Sequence, residues 1–122
     1  MNRKAMAAIA LTVDTSILTS LANDYGYELI FEKQVEGLGK PGDVFFGIST
    51  SGSSKNVVLA MERAKSMGLT TVAMTGDFDG RMNQEADYQI AVPSKITNNI
   101  QEMHIAVGHL LCGIIEQAVN EK

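Results

Sequence analysis

Four short apolar runs, Ala7–Thr12, Asp43–Ser49, Thr70–Thr75 and Tyr88–Val92, alternate along the chain with segments of helical character. Each run is bounded by turn residues and reads as a strand covered on both faces. The intervening segments predict helices over Thr15–Ala22, Glu28–Leu38, Ser54–Met67, Gly80–Glu85 and Asn99–Asn120. In the third of these, Val57, Val58, Met61, Ala64 and Met67 hold one face at helical spacing, and Gly68 follows as a left-handed cap would. Pro41-Gly42 marks the turn into the second strand. Strand–helix alternation at this spacing predicts an α/β fold: a doubly wound parallel sheet flanked by helices. There is no internal repeat, low-complexity tract or linker, so the 122 residues read as one domain, 1–122.

Composition removes several function classes. The formal net charge is −4 and no basic cluster occurs, which argues against nucleic acid or an anionic membrane as a direct partner. Cys112 is the only cysteine, so no intrachain disulfide can form, in keeping with a reducing, cytoplasmic setting. Arg3 and Lys4 before Ala5–Leu11 mimic the start of a secretory leader, but Asp14 cuts the apolar run short. We read Ala7–Thr12 instead as a buried strand. No run reaches the ~18 apolar residues needed to cross a bilayer.

Between the second strand and the third helix lies GISTSGSSKN, residues 47–56. Ser49 to Ser54 hold four serines, a threonine and a glycine. In a doubly wound sheet, ligands sit beyond the carboxyl ends of the strands. A helix N-terminus adds unpaired N–H groups and partial positive charge. Hydroxyls and glycine-exposed amides there suit a phosphate. The plain alternative is a helix capped by Ser53 or Ser54, which needs only one of these hydroxyls. The glycines at 47 and 52 have the spacing of a nucleotide-binding loop, but Ser53-Ser54 replaces its Lys-Ser/Thr pair. A small phosphate monoester therefore fits better than a nucleoside triphosphate or a dinucleotide.

The last helix opens with a capping-box pattern, Asn98 with Gln101 or Asn99 with Glu102. From Met103 to Ile115 it holds no Asp, Glu, Lys or Arg, so it is expected to be covered all round, by its own domain or by another subunit. Its two histidines are five residues apart and point about 140° from one another. His104 falls on the stripe of Ile100, Met103, Val107, Leu111, Ile114 and Ala118, where a satisfied core or interface histidine is the better reading. His109 lies nearer the face of Gln101, about 12 Å from it along the axis and about 80° round. One ligand between them could engage both.

The segments GKPGDVFFGISTSGSSKNVVLAMERAKSMG, VAMTGDFDG and IQEMHIAVGHLLCGIIE, with ALTVDTSILTSLANDYGYELIF before them, resemble the sugar isomerase (SIS) family along the whole chain. Within it they most resemble the phosphoheptose isomerases, which convert sedoheptulose 7-phosphate into D-glycero-D-manno-heptose 7-phosphate for lipopolysaccharide heptose. The resemblance implies that Ser49, Thr50, Ser51 and Ser54 bind the substrate, chiefly its phosphate, and that Asn23 and Asp24 contact the sugar. A helix-ending turn is the structural alternative for Asn23-Asp24-Tyr25-Gly26. The resemblance further implies that Gln101 binds substrate and, with His109, zinc; that His109 is an acid/base group; and that the protein is a homotetramer. Family members begin with a helical segment, a strand, a Gly-Asn-Gly-Gly-Ser-type loop and a helix whose histidine and glutamate complete the zinc site and supply the base. No such segment precedes Met1, so the chain resembles roughly the C-terminal two thirds of such an enzyme, with impaired catalysis expected. A non-catalytic sugar-phosphate-binding SIS module and a replication-initiator-associating paralogue are the competing classes. Keeping both Gln101 and His109 favours isomerase ancestry.

Overall fold

The computed structural model describes residues 4–120. Its element order is α1 (Thr15–Tyr25), a 3₁₀ turn (Tyr27–Leu29), α2 (Ile30–Leu38), β1 (Val44–Ile48), α3 (Lys55–Ser66), β2 (Thr70–Thr75), α4 (Arg81–Glu85), β3 (Tyr88–Ala91) and α5 (Thr97–Asn120). The three strands form one parallel sheet in the order β1-β2-β3. Phe45 stands opposite Thr71, Gly47 opposite Ala73, and Met74 opposite Ile90. The expected α/β architecture is present, and seven of the nine predicted elements agree with the observed ones to within two residues.

One face of the sheet carries the core. Phe45 and Ala73 pack there against Val35 of α2, against Val58, Ala60, Met61 and Ala64 of α3, and against Met82 of α4. The predicted face of α3 is the one that is buried. Its end is a Schellman cap: Leu69 N–H donates to the Ala64 carbonyl (3.0 Å), Gly68 N–H to that of Lys65 (3.1 Å), and Gly68 takes φ 82°. The sheet is held at its lower corner by Asp87, whose carboxylate accepts the Thr71 N–H (2.8 Å) and the Thr71 hydroxyl (3.1 Å). Those two bonds, the backbone one first, hold the Asp87 carboxyl below the usual aspartate range. Between α2 and α3, the buried Glu32 carboxylate takes Arg63 Nε at 2.6 Å, which raises the already high guanidinium pKa.

Two expectations are corrected. Ala7–Thr12 is not a strand. Ala7 to Ala10 are exposed and have no regular structure, and only Leu11 packs against the core. The Leu11 carbonyl is taken by the Gln34 side-chain amide at 3.0 Å, and no strand pairs with the segment among the described residues. Arg3, part of the leader-like start, lies outside the described residues. The helix predicted from Glu28 opens instead as a 3₁₀ turn, because Gly26 (φ 93°) ends α1 and redirects the chain immediately before it. Of the two covers expected for α5, its own domain supplies only part. Ile100 and His104 are buried, whereas Met103, Ile105, Leu110, Ile114 and Ile115 are exposed. The other sheet face is likewise open at β1, where Val44, Phe46 and Ile48 are exposed.

Candidate functional site

β1 delivers Ser49 to the carboxyl edge of the sheet, where its N–H donates to the Met74 carbonyl (3.1 Å). From that fixed point the chain turns back at once, since Gly52 N–H donates to the Ser49 carbonyl (3.1 Å) with Gly52 at φ 66°. The turn gathers three hydroxyls. Ser49 Oγ, on a buried residue, lies 2.8 Å from Ser54 Oγ and 3.4 Å from Ser51 Oγ. Ser54 is the N-cap of α3 but makes no side-chain capping bond. Its hydroxyl faces Ser49 instead; Val57 N–H is taken by the Ser54 carbonyl (3.0 Å) and Asn56 Oδ1 (2.9 Å), which leaves the Lys55 and Asn56 amides of the first turn for another acceptor. Ser51 Oγ accepts the Ser53 N–H at 3.2 Å, so Ser53 shapes the turn. Thr50 is half-buried, with its carbonyl bonded to Gly76 N–H at 2.9 Å.

A second loop, Gly76 to Gly80, clasps the first, and sequence reasoning assigned it no role. Met82 N–H donates to the Gly52 carbonyl at 2.9 Å. A Cβ on Gly80 would lie 2.6 Å from the carbonyl carbon and oxygen of Gly52, so only glycine permits this approach. Asn83 braces the pair: Thr75 Oγ1 donates to Asn83 Oδ1 (3.0 Å) and Asn83 Nδ2 donates to the Phe78 carbonyl (2.7 Å). The signal was visible in GDFDG, two glycines bounding a short acidic turn after a strand.

Beside the serine turn opens a cleft of about 460 Å³ lined by Tyr27, Glu28, Ser54, Lys55 and Asn56. Lys55 Nζ pairs with Glu28 Oε2 at 3.1 Å along it. Asn23 and Asp24 are exposed in the last turn of α1, a few residues before Tyr27, and bond to each other (Asn23 Nδ2 to Asp24 Oδ1, 2.9 Å). They lie in the last helical turn, with both side chains open to solvent. Gln101 and His109 are exposed on α5, and among the described residues neither bonds to the serine turn. The structure thus brings Ser49, Ser51 and Ser54 together and leaves the α5 pair and the α1 pair as separate exposed groups.

Zinc is most often held by four ligands, at least three of them from protein. Among the described residues no group of three or more His, Cys, Asp or Glu is placed to hold a metal. Gln101 and His109 supply two ligands at most, so the residues present do not make up a zinc site. Among the same residues, no helix is long and apolar enough to cross a membrane.

The model of the SIS domain matches residues 1–76. The chain is 61% identical over 119 residues to a phosphoheptose isomerase of Akkermansia muciniphila, covering 98% of this chain and 63% of that protein. It is 53% identical over 120 residues to the phosphoheptose isomerase of Aquifex aeolicus, with the same coverage of 98% and 63%. Among solved structures, a phosphoheptose isomerase from Francisella tularensis superposes with a TM-score of 0.91 at 40% identity, covering 94% of this chain and 62% of that one. The phosphoheptose isomerase from Neisseria gonorrhoeae gives 0.89 at 44% identity, covering 91% and 62%. The chain therefore spans less than two thirds of the length of each of these relatives.

Proposed function

The chain belongs to the SIS-domain family, and from that premise we propose that it forms the phosphate-binding part of a heptose-phosphate isomerase. The reaction is the interconversion of sedoheptulose 7-phosphate and D-glycero-D-manno-heptose 7-phosphate. The observation that carries the reading is the hydroxyl of Ser54. At an ordinary N-cap it would bond its own helix; here it joins Ser49 and Ser51 in a hydroxyl cluster at the start of α3, beside the Lys55 and Asn56 amides. A phosphate dianion satisfies hydroxyls and amides together, and the helix dipole favours its charge.

The rest follows from the chemistry. Aldose–ketose isomerisation moves a proton between adjacent carbons through an enediol, with a base at the carbon and an acid at the carbonyl oxygen. His109 is exposed and can take the acid or base role, Gln101 can hold a sugar oxygen, and Asn23 and Asp24 can contact the sugar hydroxyls. A carboxylate partner for His109 comes from outside the described residues. So do the further ligands of any zinc ion bound by Gln101 and His109. The exposed apolar residues of α5 supply a contact for a homotetramer. A cytoplasmic enzyme feeding lipopolysaccharide heptose synthesis is the corresponding cellular role.

The test is conversion of sedoheptulose 7-phosphate, followed by product analysis, for the full-length protein carrying this chain. Turnover that is lost in Ser51→Ala/Ser54→Ala supports the reading. Sugar-phosphate binding without turnover moves the protein to the class of non-catalytic SIS modules, and absence of binding removes the phosphate seat.

A further inference from the structure

We infer that His104 is a positioning residue that locks α5 to the serine turn through the peptide linking Thr75 and Gly76. The inference rests on the reading of that turn as a phosphate seat. His104 is 5% exposed, while its neighbours Gln101, Glu102, Met103, Ile105 and Ala106 on the same helix are exposed. Its Nε2 lies 3.1 Å from the carbonyl oxygen of Thr75, the last residue of β2. That oxygen also accepts the Val92 N–H at 2.9 Å. A carbonyl has only lone pairs to offer, so Nε2 carries the proton and donates it.

The other end of the same peptide unit is the Gly76 N–H, which donates to the Thr50 carbonyl at 2.9 Å. A peptide unit is planar and stiff. One rigid plane is thus bonded to α5 at its carbonyl and to the serine turn at its amide. Loss of the histidine bond leaves that carbonyl held by the Val92 N–H alone, and any tilt this allows is delivered to Thr50, between Ser49 and Ser51. Ile100, one turn earlier on α5, makes the lock directional. It is fully buried, and a Cβ on Gly76 would collide with its Cδ1. Gln101 follows Ile100 directly and His109 lies five residues beyond His104. Whatever fixes His104 therefore fixes where α5 presents those two groups relative to the hydroxyl cluster. A histidine kept only for packing could be replaced by leucine at a cost in global stability alone; a positioning histidine needs its N–H.

The test compares His104→Leu, which fills the space without a donor, with His104→Gln, which restores an N–H, in the full-length protein. Amide hydrogen exchange is read at Gly76 and, as a measure of global stability, at Met61 inside α3. Loss of one hydrogen bond predicts exchange at Gly76 about five- to tenfold faster in His104→Leu, beyond any change at Met61. His104→Gln should return it to within about twofold. Affinity for inorganic phosphate should fall and recover in step, and ¹⁵N shifts of the imidazole should place the neutral proton on Nε2. Equal acceleration at Gly76 and Met61, a glutamine variant indistinguishable from leucine, or a proton on Nδ1 overturns the inference. If the unsubstituted protein does not bind phosphate, the phosphate seat falls, while the exchange pattern still decides the role of His104.

Discussion

Ser54 occupies an N-cap and does not cap, which gives the serine turn a direct test. If its hydroxyl and that of Ser51 hold a phosphate, Ser51→Ala/Ser54→Ala removes two hydrogen bonds to a charged group. The expected loss is about 3–6 kcal/mol of binding if the two add, measured by calorimetry with the sugar phosphate. Unchanged affinity would mean that the cluster only shapes the loop. Gly80 gives a second test of a different kind. A methyl group there meets backbone atoms of Gly52, which cannot swing away as a side chain would. Gly80→Ala should therefore cost about 1–3 kcal/mol of stability, as overpacking does, and should weaken phosphate binding although residue 80 contributes no donor to the cluster. Wild-type melting and affinity in this variant would show that the two loops are not clasped.

Asp87 ties β2 to the start of β3 by accepting both the amide and the hydroxyl of Thr71 while its own N–H donates back to Thr71 Oγ1 (3.0 Å). Its folded carboxyl lies below the ordinary aspartate range, so the charged form stabilises the fold. A depressed pKa contributes stability that is fully present above the unfolded value, about 3.9, and is lost as pH falls through the folded value. Asp87→Asn should melt lower than wild type at pH 7, and the gap should close in acid below that range. A gap independent of pH would assign the effect to packing. Elements of this kind were partly legible. The periodic face of α3, its glycine stop, and the short β-runs at 44–48, 70–75 and 88–91 are local patterns, and local patterns survive in sequence. The serine turn was legible because its hydroxyls are contiguous. Ala7–Thr12 was misread because apolar content was taken as pairing, and pairing depends on a neighbour that sequence does not display. The Gly52–Gly80 approach was hidden because it joins two loops on different strands. The cover of α5 was left as two alternatives because a charge-free helix looks the same whether its cover is in the same chain or elsewhere.

The described residues leave a consistent surface uncovered. Val44, Phe46 and Ile48 line one open face of β1, which is also a sheet edge with unpaired backbone groups among those residues. On α5, Leu110, Ile114 and Ile115 stand exposed at 62%, 52% and 50%. At α5, the proposed zinc reading would draw only two ligands, Gln101 and His109, where at least three are needed, and no described carboxylate bonds to His109. These deficits share one remedy: additional chain, flanking or from a second copy, that covers the sheet face, packs on α5 and brings a carboxylate and further ligands. The 122-residue chain expressed by itself should therefore self-associate, bind zinc weakly and turn over sedoheptulose 7-phosphate far below an ordinary enzymatic rate of about 1 per second. Phe46→Lys should reduce precipitation by charging the open edge, while Leu110→Glu/Ile114→Glu should instead dissolve any defined oligomer built on α5. Light scattering, zinc titration and a turnover assay on the same preparation read all three properties. A zinc-tight, monomeric, active 122-residue chain would show that the described residues already contain the complete site, with His109 finding its partners within them.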